Sequence, residues 1–567
     1  MKDYITNRYG KPLPYPERRG IDLTGEGGYA FLENMYIDYD GSGGAVESIV
    51  GYRRIRRFKE RISSFCQLTE NGKSTLIIHS GSGLYIASAE ERDSGLPLTK
   101  IGDAESGASR MTVLCGKCLF TDGKRLSLID ADGGVDIISE ETELAECTTS
   151  VIYDQRLFLS GNPALPDIIF YSEPMLDDKI RFDGGRINED ATGGILSLFT
   201  LDETLIALGK SKMLIHKREK NYGEYPLMRT VSGIHPTSVG FLSGRKLIFM
   251  TDEGLVAAEP DVDGQQIRIK CLSRKIAELM LKESAKPIKT ALWMGYLTIS
   301  VDDRLYLADL RNGDEPEWYL IVGVGGYKND RRVFKYKKET GDGLDLAPIP
   351  DRVANGEIYS RGAEDGSLSY YSAEENMRYA VYPTDQLCGG DFSHPSQLVS
   401  DGKLLWFSAD DGLYLFNNDK RGKIPDEKEC HGDEKMKIAE DRIHPFYYSF
   451  AGHSPGYTLI THSCDGITDR KDRQTSTRLE IRIKRLSNGT VRAVDLKDGR
   501  VMGERIIRSA NRRKGREKDE KTPLRTDDFI TFDMPARIFK NGKTQLCLVS
   551  DGSAPFGIES ISYKKHI

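Results

Sequence analysis

Six short apolar strand pairs, each split by a polar turn, recur along the chain, several of them at intervals of roughly 40 to 50 residues. Leu-Ile-Ile at 76–78 is followed by Leu-Tyr-Ile at 84–86, and Leu-Phe at 119–120 by Leu-Ser-Leu at 126–128. The pattern returns at 205–208 with 213–215, at 246–249 with 255–257, at 296–299 with 304–307, and at 404–407 with 413–416. A lone hairpin buries too little apolar surface to persist in water, so units of this kind must stack on one another. A strand-and-turn repeat of this length is the spacing of propeller blades. Asp122-Gly123, Glu253-Gly254, Asp401-Gly402 and Asp411-Gly412 lie between or beside the strands, where glycine supplies the positive φ of tight hairpins.

The gap from about 310 to 400 has room for one or two weaker blades, around Trp318-Tyr-Leu-Ile and Leu368-Ser-Tyr-Tyr. The expectation is therefore an all-β chain with a β-propeller of about seven blades, within a range of six to eight. Residues 1–48 hold prolines and glycines with little periodicity and read as an extended N-terminal arm. The propeller is assigned to 49–425. A polar stretch at 419–441 has little to pack and reads as a linker or long loop. Beyond it, 478–485, 544–549 and 557–563 alternate polar and apolar residues, so 426–567 is expected to be a C-terminal β-sandwich-like domain. Helix signals are few. The convincing one spans 273–286, with Ile276, Leu279, Met280 and Leu281 as an apolar stripe and Ser273 as its cap.

A net charge of −6 gives no overall attraction to nucleic acid or anionic membrane. No apolar run is long enough for a membrane span, and the N-terminus lacks the apolar core of a secretory signal. Nine cysteines, an odd number in scattered contexts, suit free thiols in a reducing compartment, so synthesis in the cytosol is expected. Cys115-Gly-Lys-Cys118 has redox or zinc spacing, but it opens onto a β-rich run with no second such pair.

No nucleophile elbow, phosphate-binding loop, zinc-protease helix or dinucleotide fingerprint is present, and the expectation is a protein that is not an enzyme and needs no cofactor. Cys430, His431, His444, His453, His462 and Cys464 form one local enrichment of zinc-type ligands. Their irregular spacing matches no compact zinc motif, so satisfied loop and core residues are the preferred reading and no metal is assigned. Ser408-Ala-Asp410-Asp-Gly412 loosely resembles the structural Asp-box turn of sialidases, and no carboxylate pair stands out as an acid and base. Two basic clusters could face DNA phosphates: Arg53, Arg54, Arg56 and Arg57, and, within a longer run, Arg508, Arg512, Arg513 and Lys514. Solvated loops paired with acidic neighbours are the plainer account of both.

Several stretches, in order, carry a family likeness. They are Glu33-Asn-Met-Tyr-Ile-Asp followed by Gly51-Tyr-Arg-Arg-Ile, the run from Asp154 through Ser160-Gly161-Asn162-Pro163, and Ile169-Phe-Tyr-Ser172-Glu173-Pro174. Leu205 to Gly209-Lys210, Val231-Ser-Gly233-Ile234 with Ser238-Val-Gly240, Asp411 to Asn417, and Ala554-Pro-Phe-Gly-Ile558 continue it. Together they resemble the β-propeller virion proteins of tailed bacteriophages, among them tail-hub, packaged-DNA-stabilising and nozzle-type proteins. The resemblance implies a structural component at the neck or tail of a phage or prophage particle, working by shape rather than catalysis. Made in the host bacterial cytoplasm, it would sit in a ring of copies of itself around the DNA channel, against portal or adaptor proteins and in reach of DNA. Tyr4, Tyr9, Tyr15, Phe31 and Tyr36 in the arm are candidate interface anchors, with packing on their own propeller as the alternative. Two other readings stay open: a carbohydrate-binding or carbohydrate-active propeller for host-surface recognition, and an intracellular scaffold propeller.

Overall fold

The computed structural model describes residues 52–416 apart from 176–178, 190–191, 220–223, 261–266, 312–314, 322–323, 328–333, 339–344, 348–367, 373–376, 382–391 and 410–411. Outside that span it describes Ile21 and strands at 31–33, 35–37 and 46–48, and C-terminal strands at 457–460, 464–465, 477–485, 489–494, 501–507, 529–534, 543–544, 547–550 and 556–565.

Seven blades of four antiparallel strands each make up a β-propeller. Their first strands, nearest the axis, are Ile62–Glu70, Arg110–Leu114, Thr149–Tyr153, Ile195–Leu201, Phe241–Ser243, Lys289–Trp293 and Gln397–Ser400. Each of the six expected hairpins is the central pair of one blade, as in Lys73–Ser80 with Gly83–Ser88. These middle strands have both faces against neighbouring blades, so they read as continuous apolar runs rather than an alternation. All of Tyr296–Val301, Leu405–Ala409 and Gly412–Phe416 is buried. Alternation instead chooses the neighbour: Leu76 and Ile78 pack toward blade 7 with Trp406 and Leu413, whereas Ile77 packs toward blade 2 with Cys118 and Phe120.

The blade not expected from a hairpin is the third, where Arg156–Ser160 and Ile168–Tyr171 pair across a seven-residue connection, 161–167. The stretches thought to be weaker blades are not blades of their own. Trp318 lies in Glu317–Ile321, the outer strand of blade 6. Leu368–Ser372 belongs to a separate four-stranded sheet inserted between blades 6 and 7.

Blade 7 is completed from the other end of the chain. Tyr52–Arg57 forms its outer strand, antiparallel to Gly412–Phe416. Tyr52, 1% exposed, sets its ring 5.0 Å from Phe407 and 5.3 Å from Phe416, and its hydroxyl accepts from Gly325 N–H at 3.1 Å. The inner seam of the closure is polar: Phe65 N–H donates to Gln397 Oε1 at 2.7 Å, and Gln67 Nε2 to Asp401 Oδ2 at 3.0 Å.

At blade 6 the outer edge is not free. Phe31–Glu33 adds to Glu317–Ile321 as a parallel strand and pairs on its other side with Tyr457–Ile460. Cys547–Ser550, Gly489–Val494 and Val501–Ile507 follow, giving one nine-stranded sheet that runs from the propeller into C-terminal strands. Met35–Ile37 and Val46–Ser48 enter a second, five-stranded sheet with Phe556–Lys565, Thr477–Arg485 and Phe529–Met534. The described arm strands therefore lie on their own chain. Tyr36 is fully buried, 6.2 Å from the Tyr296 ring, so it is withdrawn from any neighbouring subunit. Phe31 lies in the added strand, and Tyr4, Tyr9 and Tyr15 are outside the described residues.

The helix is shorter than expected, Ala277–Glu283 after a 3₁₀ turn at Arg274–Ile276. Ile276 and Met280 are buried while Leu281 is 49% exposed. Ser273 does not cap it: its hydroxyl accepts from Leu255 N–H at 3.1 Å, within blade 5. No helix among the described residues is long and apolar enough to cross a membrane.

Candidate functional site

Antiparallel ladders put the starts of the inner strands and the connections between second and third strands on the same face of the propeller. On that face a cavity of about 580 Å³ is lined from blades 2 to 6. Three of the motif turns singled out in the sequence meet there: Gly161-Asn162-Pro163 of blade 3, Lys210 of blade 4, and Ser238-Val239 leading into blade 5.

Blade 3 shows why those motifs have the residues they do. Asn162, 1% exposed, accepts from Ala164 N–H at 2.8 Å and Leu165 N–H at 3.1 Å and donates to Glu143 O at 2.8 Å, which sets the loop. Ser172 is fully buried; its hydroxyl accepts from Leu157 N–H and donates to Glu173 O, while Arg156 donates to its carbonyl at 2.8 Å. Asp154 and Gln155 make the hairpin tip at φ +50° and +60°, and the Asp154 carboxylate accepts from Arg218 and from the Tyr225 hydroxyl. These polar residues build the blade that supports the cavity.

The cavity's floor is glycine-lined on one side. Gly193 and Gly194 take φ +75° and +102°, a region side chains avoid, and the Lys210 side chain lies across them, with Nζ 4.0 Å from the position a Gly194 Cβ would occupy. Gly194 N–H donates to Asp167 Oδ1 at 3.2 Å, and the Thr192 hydroxyl donates to the same oxygen. Pro163, Pro166, Ile195, Val239 and Ile288 give the lining its apolar part, with Val239 50% exposed. Arg110 and Lys210 are its two cations, both exposed. Neighbouring inner-strand starts add charge of the same sign. Burial holds the Lys289 ammonium below the usual lysine value, against the pull of Asp302, and the Arg61 guanidinium acts in the same direction as burial.

Ser109 Oγ and His79 Nδ1, 2.7 Å apart, have the spacing of a nucleophile and its base. They are 4% and 0% exposed, and Ser109 also bonds Ser64, so no substrate atom can reach them. Burial holds His79 below the ordinary histidine value of 6.5, against the Gly81 backbone and Asp122. The unfolded chain then takes up a proton near pH 6.5 while folded His79 does so only at lower pH, so this group's contribution to stability is present above 6.5 and is lost as pH falls below it. The unfolding free energy from denaturant titrations is expected to fall as pH drops below 6.5, by at most about 1.4 kcal/mol per pH unit from this group. His216, also held down by burial, adds to the slope. His79→Gln is expected to flatten the profile by one histidine's share; an unchanged slope would contradict it.

Cys115 and Cys118 do not form a joint site. Cys115 is exposed at a hairpin tip with φ +48°, and Cys118 is buried, its thiol pushed well above the usual value by burial and then by Cys66. Burial likewise pushes Cys147 up to about 12. Maleimide labelling of the native chain, mapped by mass spectrometry, is expected to modify Cys115 and Cys271 and to spare Cys66, Cys118 and Cys147. Prompt labelling of Cys118 would contradict this placement.

Among the other sequence candidates, Arg53, Arg54, Arg56 and Arg57 lie in the outer strand of blade 7, on the propeller rim and away from its central opening. Arg56 donates to Gly95 O at 3.0 Å and Arg57 is exposed. Cys464 starts a short strand paired with Lys543–Thr544. Cys430, His431, His444, His453, His462, Arg508, Arg512, Arg513 and Lys514 are outside the described residues. The cavity itself was not foreseen, because it needs loops of five blades brought to one face.

No protein-family model matches the chain, and no curated protein does. Solved structures similar to it include Hsv2 of Kluyveromyces lactis, 13% identical over 57% of this chain and 98% of that one, with a TM-score of 0.31. Virginiamycin B lyase from Staphylococcus aureus is 10% identical over 65% of this chain and 98% of its own, with a TM-score of 0.34. PorZ of Porphyromonas gingivalis is 12% identical over 65% of this chain and 52% of its own, with a TM-score of 0.33. The propeller is established by this chain's own strand ladders, and these likenesses carry no functional argument.

Proposed function

We propose that the chain is a non-enzymatic structural subunit of a tailed-phage or prophage particle, set in several copies as a ring at the neck or tail around the DNA channel. The observation that supports this most is the shared sheet at blade 6, where Phe31–Glu33 is hydrogen-bonded between the propeller's outer strand and Tyr457–Ile460. A linker joined by a few residues would let two modules swing, whereas a continuous ladder resists shear and bending. The C-terminal strands, in two sheets that we take to pack as a sandwich, are thereby held at a fixed angle to the disc. A fixed angle between modules is what a heterologous contact needs in order to close into a ring rather than run on. The phage-protein resemblance of the blade motifs supports the same reading. Copies of itself, portal or adaptor proteins and channel DNA are the proposed partners, and the virion is the proposed location.

Mass photometry of the full chain at micromolar concentration tests the assembly half of this reading. A discrete closed multimer, seen as a ring in negative stain, is the expected result. A monomer that binds glycans on an array would instead favour the carbohydrate reading, and a monomer without glycan binding the scaffold reading.

A further inference from the structure

The geometry points to the cavity of blades 2 to 6 as a docking site for an acidic, extended segment of a partner protein. This goes beyond the assembly reading and does not depend on it. Among the described residues neither Arg110 nor Lys210 has an anionic partner, whereas on the same face Glu105 is paired with Lys124, and Glu283 with Lys286 and Arg304, and none of these acids reaches the two cavity cations. The near carboxylate, Asp167, is turned into the backbone, where Thr192 and Gly194 hold it. Two cations left without counter-ions beside an exposed valine and a row of prolines describe an incomplete contact.

The occupant's form follows from where these groups sit. Arg110 starts the inner strand of blade 2 and Lys210 lies in the turn of blade 4, with blade 3 between them. With a blade between the two cations, an extended chain carrying carboxylates several residues apart can meet both. Beside them the lining is Pro163, Pro166, Ile195 and Val239, which suits an apolar side chain carried along with the acidic ones. Gly193 and Gly194, with no side chains, let a backbone approach closely.

A display library of random dodecapeptides, panned against the full chain with counter-selection on the Arg110→Glu/Lys210→Glu variant, tests the proposal. Peptides carrying acidic residues around an apolar one are expected to be enriched. Their affinity, read by fluorescence anisotropy, is expected to drop at least tenfold for the double variant and for Val239→Asp, and to weaken as salt is raised. Both variants should melt as the wild type does, since all three positions are exposed; a variant that melts early is replaced by Arg110→Gln/Lys210→Gln. No enrichment over the counter-selected variant would overturn the proposal. So would full displacement by millimolar inorganic phosphate with no effect of Val239→Asp, which would indicate a small-anion site instead.

Discussion

Tyr52→Ala is expected to destabilise the propeller by about 3–5 kcal/mol, the range for emptying a buried aromatic site. The loss is large because this side chain sits at the closure. Its ring contacts Phe407, Tyr414 and Phe416, and its strand is the only part of the N-terminal region that completes a blade among the described residues. Blade 7 without that strand leaves the Gly412–Phe416 edge open, and the ring of inter-blade contacts is broken next to Trp406. All three tryptophans, Trp293, Trp318 and Trp406, are fully buried in blades 6 and 7, so their fluorescence in guanidinium reports this region directly. Tyr52→Phe keeps the ring packing and removes the acceptor for Gly325 N–H, at a cost of about 1 kcal/mol. Equal effects of the two substitutions would show that the ring is not the closing element.

Glu283→Ala is expected to cost about 3 kcal/mol, because it breaks a buried charge cluster from one side. The carboxylate, on a residue 2% exposed, lies 3.1 Å from Arg304 Nη1 and 2.6 Å from Lys286 Nζ, and the Tyr306 hydroxyl donates to it at 3.3 Å. Burial pushes that tyrosine up to about 12, so it stays a donor throughout the neutral range. Lys286 is held above its usual value first by Asp302 and then by Glu283, so it keeps one partner after the substitution, while Arg304 loses the carboxylate 3.1 Å from its Nη1. Replacing Glu283 by Leu together with Arg304 by Met should recover most of the loss, since no unmatched charge is then left. If the paired replacement is as unstable as the single one, the cluster acts through shape rather than charge.

The legible part of this fold was the part with the strongest burial. Central strands such as Lys246–Thr251 are apolar on both faces and meet across turns that need glycine, so composition and spacing both mark them. Inner and outer strands are half in water and carry weak signals; Leu227–Ser232 is exposed along nearly its whole length. Glu317–Ile321 misled in the opposite direction. An outer strand should look half-polar, but the added Phe31–Glu33 covers its edge and all five residues are buried, so it read as the heart of another blade. Tyr52–Arg57 was legible as charge, four arginines in six residues, and that masked its role as the closing strand. Blade 3 was visible only through its motif, because Asn162 organises a loop where the other blades have tight turns. The cavity was out of reach for a different reason. Arg110 and Lys210 are 100 positions apart, and nothing local to either says that a ring will bring them to one opening.

The most direct test of the mechanical account is to locate the chain in particles. Tagged on an exposed hairpin such as Gly244-Arg245 and expressed from its native locus during induction, it is predicted to appear by immunogold electron microscopy at the neck or tail of tailed particles, and averaged images should contain a ring of discs there. Particles of normal composition and infectivity that lack the chain altogether would contradict it.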